Sequence, residues 1–314
     1  MKEIPVNIIT GFLGSGKTTA IIQLLNQKLP DERWAIVVNE FGKISIYGQT
    51  LRSASTAGTV FDISGGCICC SAKGYLRDNL IKIIETGSFD RIVIEPSGLG
   101  GIEMVTELLE TLPELRTMPV ICMVDITGIG NQRLQMNMIY RAQIAKSDMI
   151  VFSKFDLIGD SELQNQSVLK FKALFPEKNR CLLGTMLTPL LLNMEMLNAH
   201  AQKNNSPRYL GENSNLTDHN YLKKHLQFGN ETIFDCEKLS AFFNMHSEIL
   251  RAKGHIQTQK GWILFNFSLS GCTFEPSKNK DGTNLVLIAE TMACKLLPDL
   301  QEEIERTCLQ LSNG

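Results

Sequence analysis

Short, unbroken apolar runs recur along the first 185 residues, at VNIIT (6–10), WAIVVN (34–39), RIVIE (91–95), VICMVD (120–125), DMIVFS (148–153) and RCLLG (180–184). Each is bounded by turn or polar residues, the pattern of strands buried on both faces of a parallel sheet. Helical periodicity lies between them and predicts helices over Thr18–Leu29, Leu76–Glu85, Ile102–Leu112, Leu134–Lys146 and Ser161–Phe175. Strand alternating with helix implies an α/β domain with a mostly parallel sheet flanked by helices. From about Glu195 to Gln227 the chain turns rich in Asn, Ser and Lys and poor in aliphatics, which reads as a linker. Beyond it, GNETIFD predicts a short strand and CEKLSAFFNMHSEILRA a helix. GWILFNFSLSGCTFEP and NLVLIAE predict two strands, and LPDLQEEIERTCLQL a closing helix. The expected organisation is a domain over 1–194, a polar linker over 195–227 and a smaller α+β domain over 228–314.

Composition narrows the class. Hydrophobic residues make up 43% and charged residues 20% of the 314, the balance of a globular protein. The net charge of −2 gives no reason to expect nucleic acid or an anionic membrane as partner. The N-terminal stretch has neither the apolar core nor the cleavage site of a signal peptide, and no apolar run is long enough to span a bilayer. A cytosolic location is expected. There the scattered residues Cys122, Cys181, Cys236, Cys272, Cys294 and Cys308 read as small buried hydrophobes.

The first strand runs directly into Gly11-Phe12-Leu13-Gly14-Ser15-Gly16-Lys17-Thr18-Thr19 and then a helix. This is the phosphate-binding pattern GxxxxGK[ST] in its required strand–loop–helix setting. The glycines Gly11, Gly14 and Gly16, with Ser15, let backbone N–H groups cradle phosphate oxygens, and the helix points its positive end at them. Lys17 would bridge the β- and γ-phosphates, and Thr18 would ligate magnesium. RIVIE ends at Glu95, followed by Pro96-Ser97-Gly98. Glu95 is the candidate to hold magnesium or orient the attacking water, and Gly98 to approach and sense the γ-phosphate. Ser153-Lys154-Phe155-Asp156 resembles the NKxD motif that reads guanine: Asp156 can accept from N1–H and N2–H₂, and the Lys154 stem can lie over the base. Ser153 stands where Asn is usual, which removes an amide contact.

Cys67-Ile68-Cys69-Cys70 places three cysteines in four residues. Thiolates favour zinc or copper(I) over magnesium, and three sulfurs fill three of zinc's four positions, with Glu40 or water as the fourth. An inert strand and a redox couple are the competing readings. Taken with Asn39-Glu40-Phe41-Gly42, the phosphate loop, Glu95-Pro96-Ser97-Gly98 and Ser153–Asp156, the cluster resembles the CobW-type branch of the metallochaperone GTPases, whose wider family includes the HypB and UreG proteins. Leu250-Arg251-Ala252-Lys253-Gly254 and the strand around Trp262 resemble that family's C-terminal domain. The resemblance implies GTP hydrolysis with magnesium, zinc, cobalt or nickel at the CxCC site, and transfer to a client metalloprotein. It leaves nucleotide- or metal-dependent dimerisation open. It also leaves an alternative, a GTP-dependent switch gating a metalloenzyme or corrinoid enzyme, with regulatory cysteines. Lys43 follows NEFG where the family often carries an acid, and the linker offers only His200, His219 and His225 where many relatives are histidine-rich.

Overall fold

The structure is a computed structural model that describes residues 3–38, 58–62, 71–99, 102–178, 181–183, 189–192, 221–229, 231–246, 248–277, 282–290 and 299–309. It divides into two compact units, residues 1–218 and 219–314.

The first unit is built on an eight-stranded sheet. Its strands are β1 (Ile4–Thr10), β2 (Trp34–Val38), β3 (Gly58–Asp62), β4 (Arg91–Glu95), β5 (Leu115–Thr117), β6 (Ile121–Asp125), β7 (Met149–Ser153) and β8 (Cys181–Leu183). The order is β3-β2-β4-β1-β6-β7-β8, with β5 paired to the start of β1, and every pairing is parallel. Every residue of β2, β4, β6 and β7 is buried, which accounts for their unbroken apolar runs. On one face Val6, Ile8, Ala35, Val37, Ile92 and Ile94 meet Leu76, Leu80 and Ile83 of α2 (Ser71–Thr86), and Val105, Leu108 and Leu109 of α3 (Glu103–Glu110). On the other, Ile9, Ile36, Val38, Val93 and Met123 meet Ile21, Leu24 and Leu25 of α1 (Lys17–Gln27). The alternation along each strand thus sorts side chains to two helix layers.

One predicted helix is two. Leu134–Lys146 lies in α4 (Gln132–Met136) and α5 (Met138–Lys146), because extended Asn137 ends the first and its side chain accepts from the Tyr140 N–H to cap the second. The helix α6 (Ser161–Leu174) starts at Asp160, whose carboxylate caps Glu162 N–H. The strands β3 and β5 and the short helix α7 (Pro189–Leu192) carry no pattern strong enough to be read beforehand.

The second unit is an antiparallel sheet in the order β12-β11-β10-β13-β9. Its strands are β9 (Tyr221–Gln227), β10 (Ile249–Thr258), β11 (Gly261–Ser268), β12 (Gly271–Pro276) and β13 (Asn284–Glu290), and α8 (Cys236–Met245) and α9 (Leu300–Cys308) cover one face. Four details correct the expectations. Tyr221–Gln227, read as the end of the linker, is an edge strand; it buries only Leu226, so its Lys and His residues hid the pattern. His225 therefore sits in a strand, where burial and Lys223 hold its pKa below the ordinary value. GNETIFD contributes only isolated bridges at Phe234. The helix from Cys236 stops at Met245 and the chain turns into β10, while GWILFNFSLSGCTFEP folds back as the hairpin β11–β12.

Gly254 explains the tight centre of this sheet. It pairs with Phe265 on one side and Leu285 on the other, and a Cβ there would lie 1.7 Å from the Asn284 carbonyl oxygen. The obstacle is backbone, so Gly254→Ala must push β10 and β13 apart. We expect a loss of about 3 kcal/mol, read as an earlier urea midpoint for this unit. An unchanged midpoint would show that the strands yield freely.

Candidate nucleotide site

The loop after β1 is shaped by glycine. Gly11, Gly14 and Gly16 have φ of 142°, 77° and 86°, the region that L side chains rarely adopt. A Cβ on Gly11 would also lie 2.4 Å from the Met123 carbonyl oxygen and 2.5 Å from Ser15 Oγ. The loop closes with Ser15 N–H donating to the Phe12 carbonyl at 3.2 Å. Gly16 then caps α1, with no side-chain cap and no acid in the first turn. The N–H groups of that turn therefore present an uncompensated positive end.

Two buried charges meet this loop. Lys17, 7% exposed, donates from Nζ to the carbonyls of Gly11 at 2.8 Å and Phe12 at 3.1 Å. Its ammonium is thus folded back over the loop. Glu95, also 7% exposed, ends β4 beside β1 and accepts from the Thr18 hydroxyl at 3.1 Å and 3.3 Å. The Ser15 Oγ and Thr10 Oγ1 atoms are buried with no hydrogen-bond partner. Buried hydroxyls without partners are costly, and those at a positive helix end are suited to a phosphate oxygen. Gly98 lies against the loop as well: a Cβ there would meet Leu13 Cδ2 at 2.8 Å and Leu13 N at 3.2 Å. Thr19 is exposed on the helix.

The segment after β7 is tied to the same loop. Ser153, expected from the sequence to mark a lost amide contact, donates from Oγ to the Ser15 carbonyl at 2.8 Å. Its short side chain fits because Gly16 is adjacent: a Cβ on Gly16 would lie 3.6 Å from Ser153 Cβ. Lys154 has φ 61° and ψ 29°, the one non-glycine residue with positive φ among those described. Its ammonium pairs with Asp125 Oδ2 at 2.6 Å, and the Asp125 carboxylate also accepts from Thr127 N–H at 2.9 Å. Asp125 was missed beforehand; its signal was an acid at a buried strand's C-terminal end, as for Glu95. Asp156 is exposed in the turn Phe155–Leu157.

Cys67, Cys69, Cys70 and Glu40 lie outside the described residues. Among the described residues no three His, Cys, Asp or Glu side chains gather as a metal site. Four cysteines with described side chains are poor ligands. Burial pushes the thiols of Cys122 and Cys308 up to about 12, and raises those of Cys236 and Cys272, which are half-buried rather than buried as expected. All four stay protonated at neutral pH. No described helix is long and apolar enough to cross a membrane.

Comparison with known proteins places these features. The chain is 39% identical over 153 residues to the zinc chaperone YeiR of Escherichia coli, covering 48% of this chain and 46% of that protein. It is 31% identical over 185 residues to the zinc chaperone YjiA of the same organism, covering 56% and 57%. It is 30% identical over 189 residues to zinc-regulated GTPase metalloprotein activator 1 of Schizosaccharomyces pombe, covering 55% and 45%. The match thus spans about half the length of these relatives. The CobW C-terminal domain matches residues 224–307. The CobW/HypB/UreG nucleotide-binding domain matches residues 5–180, more than half of the chain, and the chain belongs to that family.

Proposed function

We propose that this chain is a GTP-hydrolysing metallochaperone that holds zinc at Cys67, Cys69 and Cys70 and couples nucleotide state to its transfer to a client metalloprotein. The names of its relatives, zinc chaperones and a zinc-regulated metalloprotein activator, support the metal and the client. Cobalt or nickel would suit the same soft ligands less selectively. Cysteines that bind metal need a reducing compartment, which supports action in the cytosol.

The observation that carries the reading is a shared register. Val38 at the end of β2 pairs with Asp62 at the end of β3 and with Glu95 at the end of β4. Three adjacent strands therefore end level. The chain leaves β2 toward Glu40, β3 toward the cysteines, and β4 at Glu95 from one sheet edge, about 10 Å across. Segments that start there can answer to one phosphate group.

The residues fit the nucleotide. Gly11, Gly14, Ser15 and Gly16 supply the cradle, Lys17 a buried cation for the β- and γ-phosphates, and Thr19 the edge of the helix toward the α-phosphate. Thr18 and Glu95 provide the oxygen donors that magnesium prefers. Magnesium, when bound, neutralises charge developing on the phosphate oxygens. Glu95 then orients water, with Thr18 fixing its carboxylate, and Gly98 brings backbone against the γ-phosphate. Lys154, held by Asp125, spans the base, and Asp156 reads guanine.

Asp156→Ala should lower kcat/KM for GTP by about 10³-fold and leave ATP turnover nearly unchanged, because only guanine offers the two donors. Phosphate release measured with both nucleotides tests this. Equal effects on GTP and ATP would remove Asp156 from base recognition.

A further inference from the structure

The helix α5 grips the segment that leads from Glu95 to α3 at two points. Gln143, 2% exposed, donates from Nε2 to the Gly98 carbonyl at 3.1 Å. Lys146, three residues later on the same helix face, pairs with Glu103 in the first turn of α3. The second contact is half-exposed, and such surface pairs contribute little. The first is buried, where an amide donor lost from a carbonyl is expensive. Gln143 is therefore the grip that matters.

Its target is a peptide that glycine leaves soft. The 98–99 peptide is planar, so fixing its C=O fixes its N–H. Gln143 holds the carbonyl, and Ser97 Oγ accepts from the Leu99 N–H at 3.3 Å. Leu13 of the phosphate loop blocks the third side of Gly98. Phe12, the next residue back, meets Tyr140 of α5 edge-on at 6.1 Å between ring centres. The phosphate loop, Gly98 and α5 thus form one packed set.

We propose that Gln143 is the positioning residue that, by holding the 98–99 peptide, sets the direction in which Gly98 presents its own N–H to the γ-phosphate, and so makes the site distinguish GTP from GDP. It acts through Gly98 and touches no substrate. The assignment rests on the GTPase reading above.

The test is calorimetric titration of the full chain with GDP and with β,γ-imido-GTP, each with magnesium. Gln143→Met keeps the volume and removes the donor; Gln143→Glu keeps the shape and replaces the donor with an acceptor. In both variants we expect analogue affinity to fall about tenfold, with GDP affinity within about twofold of wild type. A purely structural role would lower both affinities together. An unchanged ratio of the two affinities in both variants would overturn the assignment while leaving the GTPase reading intact. A wild-type chain that binds neither nucleotide would overturn the GTPase reading and the assignment with it.

Discussion

Lys17→Ala should lower GTP turnover by about 10³-fold. The reasoning is electrostatic. Lys17 is buried, and its ammonium is held against carbonyls of its own loop. In a site shielded from water, charge compensation of a phosphate is worth far more than in solvent. Lys154, the cation at the end of β7, is held by Asp125 and cannot take its place. The folded state should tolerate the change, since a desolvated charge is removed along with its partnered donor. Phosphate release beside a thermal melt separates the two effects. Turnover within tenfold of wild type would mean that Lys17 is not the phosphate cation.

The second large effect concerns metal. Serine at positions 67, 69 and 70 together should weaken zinc binding by at least about 10³-fold, because hydroxyls do not replace thiolates on zinc. Four of the six remaining cysteines should contribute little, for a physical reason. Cys122 and Cys308 have thiols pushed up to about 12 by burial, and Cys236 and Cys272 are raised too, so none of these four offers a thiolate at neutral pH. GTP turnover without zinc should stay within about threefold of wild type. Competition against a chromogenic zinc chelator reads the affinity. Retained binding in the triple variant would move the cargo site elsewhere in the chain.

The sequence was most readable where one force dominates. Burial on both faces makes β2, β4, β6 and β7 continuous apolar runs, and those runs predicted the parallel sheet. The phosphate loop was legible because its glycines are forced by φ and by the Met123 carbonyl. Legibility failed where a residue's role depends on a distant neighbour. Ser153 read as a missing amide, yet its hydroxyl ties the end of β7 to Ser15, a contact 138 residues apart in the chain. Asp125 and Gln143 are meaningful only beside Lys154 and Gly98. The helix break at Asn137 rests on a cap within an otherwise continuous pattern. In the second unit, β9 looked like linker because an edge strand hides little of its surface. There β10 was lost behind the helix signal, since its Arg, Lys and His alternate with small residues.

The central claim is a linkage between phosphate and thiolate. The register of Val38 with Asp62 and Glu95 makes β2, β3 and β4 end level at one sheet edge, and a reorganised set of ligands would supply about 2.7 kcal/mol of coupling. Zinc affinity of the full chain, titrated with β,γ-imido-GTP and then with GDP, measures that coupling. The account predicts dissociation constants that differ by about 100-fold between the two nucleotides; identical constants would contradict it.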